Sequence, residues 1–126
     1  MSVSFERTVP ILRMFSLEKA KEFYLDFLDF KIDWEHRFEK DAPLYMQISR
    51  GPVVLHLSEH FGDGVPGSAV YIYMKGLDDF HRALNEKQYR HARPGILDQS
   101  WGMREVLLTD PSGNKLRFGE PKYEGA

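Results

Sequence analysis

VPILRMFSLEKAKEFYLDFLDF, residues 9–30, holds the pattern from which the rest of the chain is read. Val9, Ile11 and Leu12 surround Pro10, and a proline there suits an edge or first-position strand, because it has no N–H to give to a ladder. Ser16 then offers an N-cap. Leu17, Ala20, Tyr24, Phe27 and Leu28 recur at helical spacing through a segment rich in Glu and Lys, which predicts an amphipathic helix. A strand within residues 5–14 and a helix packed on one face are the opening of an α+β unit.

Beyond this stretch the period changes from helical to twofold. Phe30, Ile32, Trp34, His36 and Phe38 alternate with Lys31, Asp33, Glu35 and Arg37, as in a half-buried strand. Leu44, Met46 and Ile48 alternate with Tyr45, Gln47 and Ser49, and Gly51-Pro52 turns the chain into a third strand ending near Glu59. The stretch from Phe61 to Ser68, with three glycines and Pro66, reads as a linker. The order then begins again: a strand over Ala69–Met74, a helix spaced by Leu77, Phe80 and Leu84 to near Lys87, and strands near Arg90–Leu97, Met103–Thr109 and Lys115–Phe118.

Two modules, about residues 5–60 and 68–120, thus share the order strand, helix, three strands. Their helices begin at Ser16-Leu17 and Gly76-Leu77, about sixty positions apart. The repeat predicts one domain of two paired βαβββ modules, with a curved eight-stranded sheet, helices outside, and a ligand cleft on the concave face.

Composition excludes several functions. With 17 basic against 19 acidic residues and a net charge of −2, the chain lacks the clustered positive charge that nucleic acid demands. No apolar run approaches a membrane span and no signal peptide is visible at the start, so no membrane partner is expected and the cytoplasm is the default location. Cysteine is absent, which removes disulfides, thiolate metal sites and a thiol nucleophile. Aromatic residues make up 13%, more than a core of this size needs, so some rings are expected to face a ligand.

The residues also carry a resemblance. Residues 9–30 look like the opening module of the glyoxalase/bleomycin-resistance/dioxygenase (vicinal oxygen chelate) superfamily. The closing stretch WGMREVLLTDPSGNKLRFGEP, residues 101–121, is similar to bleomycin-resistance proteins in its Trp-Gly, Arg-Glu, Asp-Pro-x-Gly-Asn and Phe-Gly-Glu-Pro elements. The resemblance implies a homodimer with the first strand exchanged between subunits, for which Pro10 is suited. It also implies drug-binding clefts at the dimer interface, lined by aromatic and acidic residues of both chains.

Superfamily enzymes converge His, Gln or Glu from four strands on one divalent ion. Here the matching positions fall at Val9 or Pro10, His56, Ala69 or Val70, and Arg117; a slip of one residue brings in Thr8, Ile11, Ser68, Tyr71, Leu116 or Phe118. His56 alone among them is a His, Gln or Glu, so no metal, cofactor or catalytic set is expected. The five histidines show no metal-protease spacing and no nucleophile elbow appears.

The candidate contacts are then those of a binding cleft. Trp101 and Gly102 lie in a loop-like segment where the ring is read as a ligand contact. Trp34 shares its strand face with Phe30, Ile32, His36 and Phe38, so the five line the cleft together or fill the core together unless a bulge intervenes. Phe38, near the strand end, is the better-placed ring. His56 looks into the cleft if Leu55 and Leu57 pack beneath the helices, and otherwise is a satisfied sheet histidine. Glu59 and Phe61 stand at a strand end and loop, where acidic groups attract a cationic ligand or are simply solvated. The expected function is stoichiometric sequestration of a bleomycin-type antibiotic without catalysis. The alternatives are a metal-dependent or metal-free glyoxalase- or dioxygenase-like enzyme, and a binder of another metabolite.

Overall fold

A computed structural model describes residues 2–123. Each half contributes one four-stranded mixed sheet and one helix. In the first half β1 (Ile11–Arg13), β2 (Lys31–His36), β3 (Tyr45–Arg50) and β4 (Val53–Ser58) lie in the order β1-β4-β3-β2. In the second, β5 (Ala69–Tyr73), β6 (Leu97–Asp98), β7 (Met103–Thr109) and β8 (Lys115–Pro121) lie in the order β5-β8-β7-β6. The first strand of each half runs parallel to the last, Ile11 beside His56 and Tyr71 beside Arg117. The repeat read from the sequence is therefore a repeat of topology.

Ser16 caps α1 (Leu17–Lys21) by accepting from Lys19 N at 3.2 Å. The helix widens at Glu22–Phe27 into turns whose hydrogen bonds span five residues, closing with Leu28 N to Phe23 O at 3.0 Å. That widening sends Phe23, Tyr24 and Phe27 inward together, each at most 2% exposed. The second helix, α2 (Leu77–Glu86), starts at Gly76 with φ of 82° and buries Leu77, Phe80 and Leu84. Asp78 and Asp79 in its first turn favour the positive end of the helix dipole.

One hydrophobic cluster joins both halves, taking Leu55 and Leu57 from β4, Val106 and Leu108 from β7 and the inner faces of both helices. Between the halves Tyr24 Oη donates to Asp110 at 2.6 Å, and Asn114 Nδ2 donates to Arg13 O at 2.7 Å. The sheets themselves stay separate: β1 and β2 are the edges of one, β5 and β6 of the other. Within one chain the expected eight strands are thus two fours, because no ladder joins β1 to β5.

Two sequence-based elements shrink. Of the strand expected over residues 5–14 only Ile11–Arg13 forms, and it pairs with β4 of its own chain, Pro10 serving as an acceptor just ahead of it (His56 N to Pro10 O, 3.0 Å). Of the strand expected near Arg90–Leu97 only Leu97–Asp98 forms. Pro94 lacks a ladder donor, and its carbonyl instead accepts from Asn85 Nδ2 of α2 at 3.2 Å.

Candidate functional site

Each sheet has one face on the core and one open face, and alternation decides which side chains lie where. In β3 and β4, Met46, Ile48, Leu55 and Leu57 point to the core, leaving Tyr45, Gln47 and His56 on the open face. In β2 the alternation is interrupted. Ile32 pairs with Ile48 but Trp34 pairs with Gln47, so Asp33 is an extra residue, a β-bulge. Phe30 is consequently buried and Ile32 packs on the core, whereas Trp34 turns to the open side, 42% exposed. The five alternating residues do not share one fate.

Asp33 holds the bulge with both oxygens, accepting from Gln47 Nε2 and Ser49 Oγ, each at 3.0 Å. Those two bonds keep its carboxyl below the usual carboxylate range. With the Gln47 amide nitrogen on Asp33, its oxygen faces His56 Nε2 at 2.9 Å. That assigns the ring proton to Nε2, so Nδ1 accepts from Tyr45 Oη at 2.8 Å. Burial, and next the charge of Arg7, pull the His56 pKa below its ordinary value. His56 is therefore a neutral imidazole with both nitrogens engaged.

The rings around it form a continuous wall. Trp34 stacks on Tyr45 with 6.0 Å between centroids and 11° between planes, and meets His56 edge-on at 5.3 Å. Beyond Tyr45 come His60 at 6.4 Å, then Phe38 and His36. Burial and the nearby charge of Asp63 raise the Tyr45 pKa, so its hydroxyl stays protonated as the donor to His56.

The open face of the second half is built differently. Glu105 is fully buried and accepts from Tyr71 Oη at 2.7 Å and from Gln99 Nε2 at 3.0 Å. Burial first, and then the bond to Glu105, push the Tyr71 pKa up to about 12. Tyr71 lies directly over Gly119, where any Cβ would collide with its ring. Tyr73 packs beside Tyr71 at 4.9 Å.

Of the residues expected from sequence, Trp34, His56 and Phe38 are brought onto the first wall. Phe38 is 76% exposed in the loop after β2, and Phe61 is 98% exposed in the loop after β4. Glu59 is not a spare acid: its Oε1 accepts from Leu44 N at 2.9 Å and lies 3.8 Å from Arg37. Trp101 is 60% exposed in the turn before β7, with the second half. Gly102, at φ of 86°, makes that turn, its carbonyl accepting from Lys122 N at 2.9 Å. Tyr45, Gln47, Asp33, Tyr71 and Glu105 were missed. Alternation with Leu44, Met46 and Ile48 placed Tyr45 and Gln47 together on the more polar face, but nothing in the sequence marked them as ligand contacts.

The four positions of the superfamily metal centre can be tested by register. Ile11 stands beside His56 and Tyr71 beside Arg117. His56 is the single imidazole or carboxylate among them, and both its nitrogens are already engaged. Among the described residues, no three His, Asp or Glu side chains cluster as a metal site. No helix there is long and apolar enough to cross a membrane.

A family model described as "Glyoxalase superfamily protein" matches residues 1–125. The chain belongs to the glyoxalase superfamily. No curated protein sequence matches it. Among solved structures, a glyoxalase-related enzyme from Clostridium phytofermentans aligns with a TM-score of 0.77 and 21% identity, over 94% of this chain and 97% of that one. A bleomycin resistance determinant encoded on the transposon Tn5 aligns at 0.72 and 22%, over 94% and 100%. A bleomycin-binding protein from bleomycin-producing Streptomyces verticillus, complexed with copper(II)-bleomycin, aligns at 0.66 and 25%, over 93% and 97%. These likenesses cover at least 93% of this chain and show that the fold is shared.

Proposed function

We propose that the protein binds and sequesters a small molecule, with a bleomycin-type antibiotic as the first candidate, against the open sheet faces and without turnover. The observation that carries this reading is the Trp34–Tyr45–His56 wall, three rings held on the face turned away from the core. A planar heteroaromatic ligand laid against it gains stacking and cation–π contacts of about 0.5–2 kcal/mol each, added to burial. Two solved neighbours are a bleomycin resistance determinant and a bleomycin-binding protein, which makes this drug class the first to test.

The cleft is completed by a second copy. β1 and β5 each leave an unpaired edge, and residues 2–10 precede β1 outside any strand, with Val3 and Phe5 strongly exposed. A homodimer that joins a β1 edge to the partner's β5 edge would set the Trp34 wall opposite the face carrying Tyr71, Tyr73 and Trp101. Arm exchange through residues 2–10 would cover the exposed apolar side chains.

Catalysis is the weaker reading. His56 contacts Tyr45 and Gln47, and Glu59 is committed to Leu44 and Arg37, so the two do not form an acid/base pair. Titration of tryptophan fluorescence with metal-free and copper-loaded bleomycin tests the proposal, with Trp34→Ala and Trp101→Ala variants in parallel. Saturable quenching near about one ligand per chain, weakened by both substitutions, is expected. No change at roughly tens of micromolar drug would remove bleomycin as the ligand.

A further inference from the structure

The two halves meet at two seams related by the repeat, and these are sealed differently. At the first, the turn Asp110–Asn114 plugs against α1 and β1: besides the Tyr24 and Arg13 bonds, Phe15 N donates to Ser112 Oγ at 3.0 Å. Phe23 and Tyr24 fill the remaining space. At the second seam the same helical positions, sixty residues on, are Ala83 and Leu84. The facing turn is only Arg50-Gly51-Pro52. Smaller side chains and a shorter plug leave a groove of about 650 Å³, with Phe30, Val53, Ile72, Phe80 and Phe118 among its apolar lining.

The charges at this groove are unbalanced. Its two acids are neutralised, Asp29 by Lys87 at 2.8 Å and Asp79 by Arg82 at 2.9 Å. Arg50 donates one N–H to Leu28 O at 3.0 Å, and its guanidinium stands 5.8 Å from the Phe80 ring centre. Neither Arg50 nor Lys75, also at the groove, makes an ion pair among the described residues. An apolar trough with two cations that have no carboxylate partner is complementary to an apolar body bearing one anionic head.

We propose that this groove is a second binding site, separate from the aromatic wall, for an amphipathic carboxylate. The hydrocarbon part lies along Ile72, Phe80 and Phe118, and the carboxylate accepts from Arg50 and Lys75. Its lining shares none of Trp34, Tyr45 and His56 with the first wall and meets the second open face only at Tyr73, so its occupancy does not require that wall.

The test uses 8-anilinonaphthalene-1-sulfonate as a fluorescent anion, displaced by dodecanoate or by uncharged dodecanol. Saturable displacement by dodecanoate is expected, with dodecanol about tenfold weaker. Ala83→Phe restores the filler of the first seam at a solvent-exposed helix position and should remove binding of both anions without lowering the thermal midpoint. Arg50→Gln and Lys75→Gln should each weaken dodecanoate and leave dodecanol unchanged, and Trp34→Ala should change neither. Equal binding of alcohol and carboxylate, binding that survives Ala83→Phe, or binding lost in Trp34→Ala would each overturn the assignment.

Discussion

His56 is held neutral by its neighbours, and that has a measurable sign. Its folded pKa lies below the ordinary 6.5, through burial and then Arg7, so between the two values the unfolded chain binds more protons than the folded one. The associated stability is present above about pH 6.5 and is lost as pH falls from there through the folded value. A proton NMR titration should therefore find the His56 midpoint below that of an exposed imidazole, and Arg7→Gln should move it part of the way back. A midpoint at or above 6.5 would contradict the burial and tautomer argued here. Gly119 offers a second test at this scale: Gly119→Ala must push Tyr71 off Glu105 and leave a buried carboxylate with one partner fewer. Urea unfolding should show a loss of about 1–3 kcal/mol, larger than for an exposed strand glycine.

At the level of elements, β2 and the turn after β7 teach different lessons about what a sequence reveals. The alternation from Phe30 to Phe38 runs unbroken through the bulge, so a reading by period two keeps all five side chains together unless a bulge intervenes, and cannot say where one would fall. What separates them is Asp33, and its bonds reach Gln47 and Ser49 on the next strand, which the local pattern cannot register. Asp33→Ala should accordingly weaken ligand quenching more than it lowers stability, because the bulge and the His56 tautomer lose their anchor while the core contacts remain. The turn Asp110–Asn114 was legible as a turn from its residue types. Its other role was not: Asp110 accepts from Ser112 N, Asn114 N, Asn114 Nδ2 and Tyr24 Oη, the last 86 positions away. Asp110→Ala should cost on the order of 2–4 kcal/mol in urea unfolding, and Tyr24→Phe about 1–2 kcal/mol. Equal, negligible losses would mean that the seam is not held by this carboxylate. Conversely the strand expected near Arg90–Leu97 is reduced to Leu97–Asp98, since the Pro94 carbonyl is taken by a helix side chain rather than a ladder.

For the whole molecule, the two modules and their two helices were readable from order and alternation, whereas His56 could be read either as facing the cleft or as a satisfied sheet histidine. The separate sheets were not, because strand adjacency across the repeat is a matter of which edges remain unpaired. Proposed recognition rests on rings rather than on charge: Glu59, Glu105 and Asp33 are already committed to protein donors. Binding at the open faces should therefore change less than about threefold between low salt and roughly 0.5 M salt, whereas a charge-driven trap would lose far more. Deleting residues 2–10 should convert the proposed dimer to a monomer in sedimentation velocity and abolish quenching by the drug. A protein that is already monomeric at full length would refute the shared cleft. The bond between Tyr24 and Asp110 also bears on how the chain comes into being. Phe23 packs on Tyr89 and Tyr24 bonds to Asp110, so a nascent first half holds those rings only partly covered until the second half exists. Premature stops in the second half should then yield insoluble, chaperone-bound or rapidly degraded fragments rather than a working half.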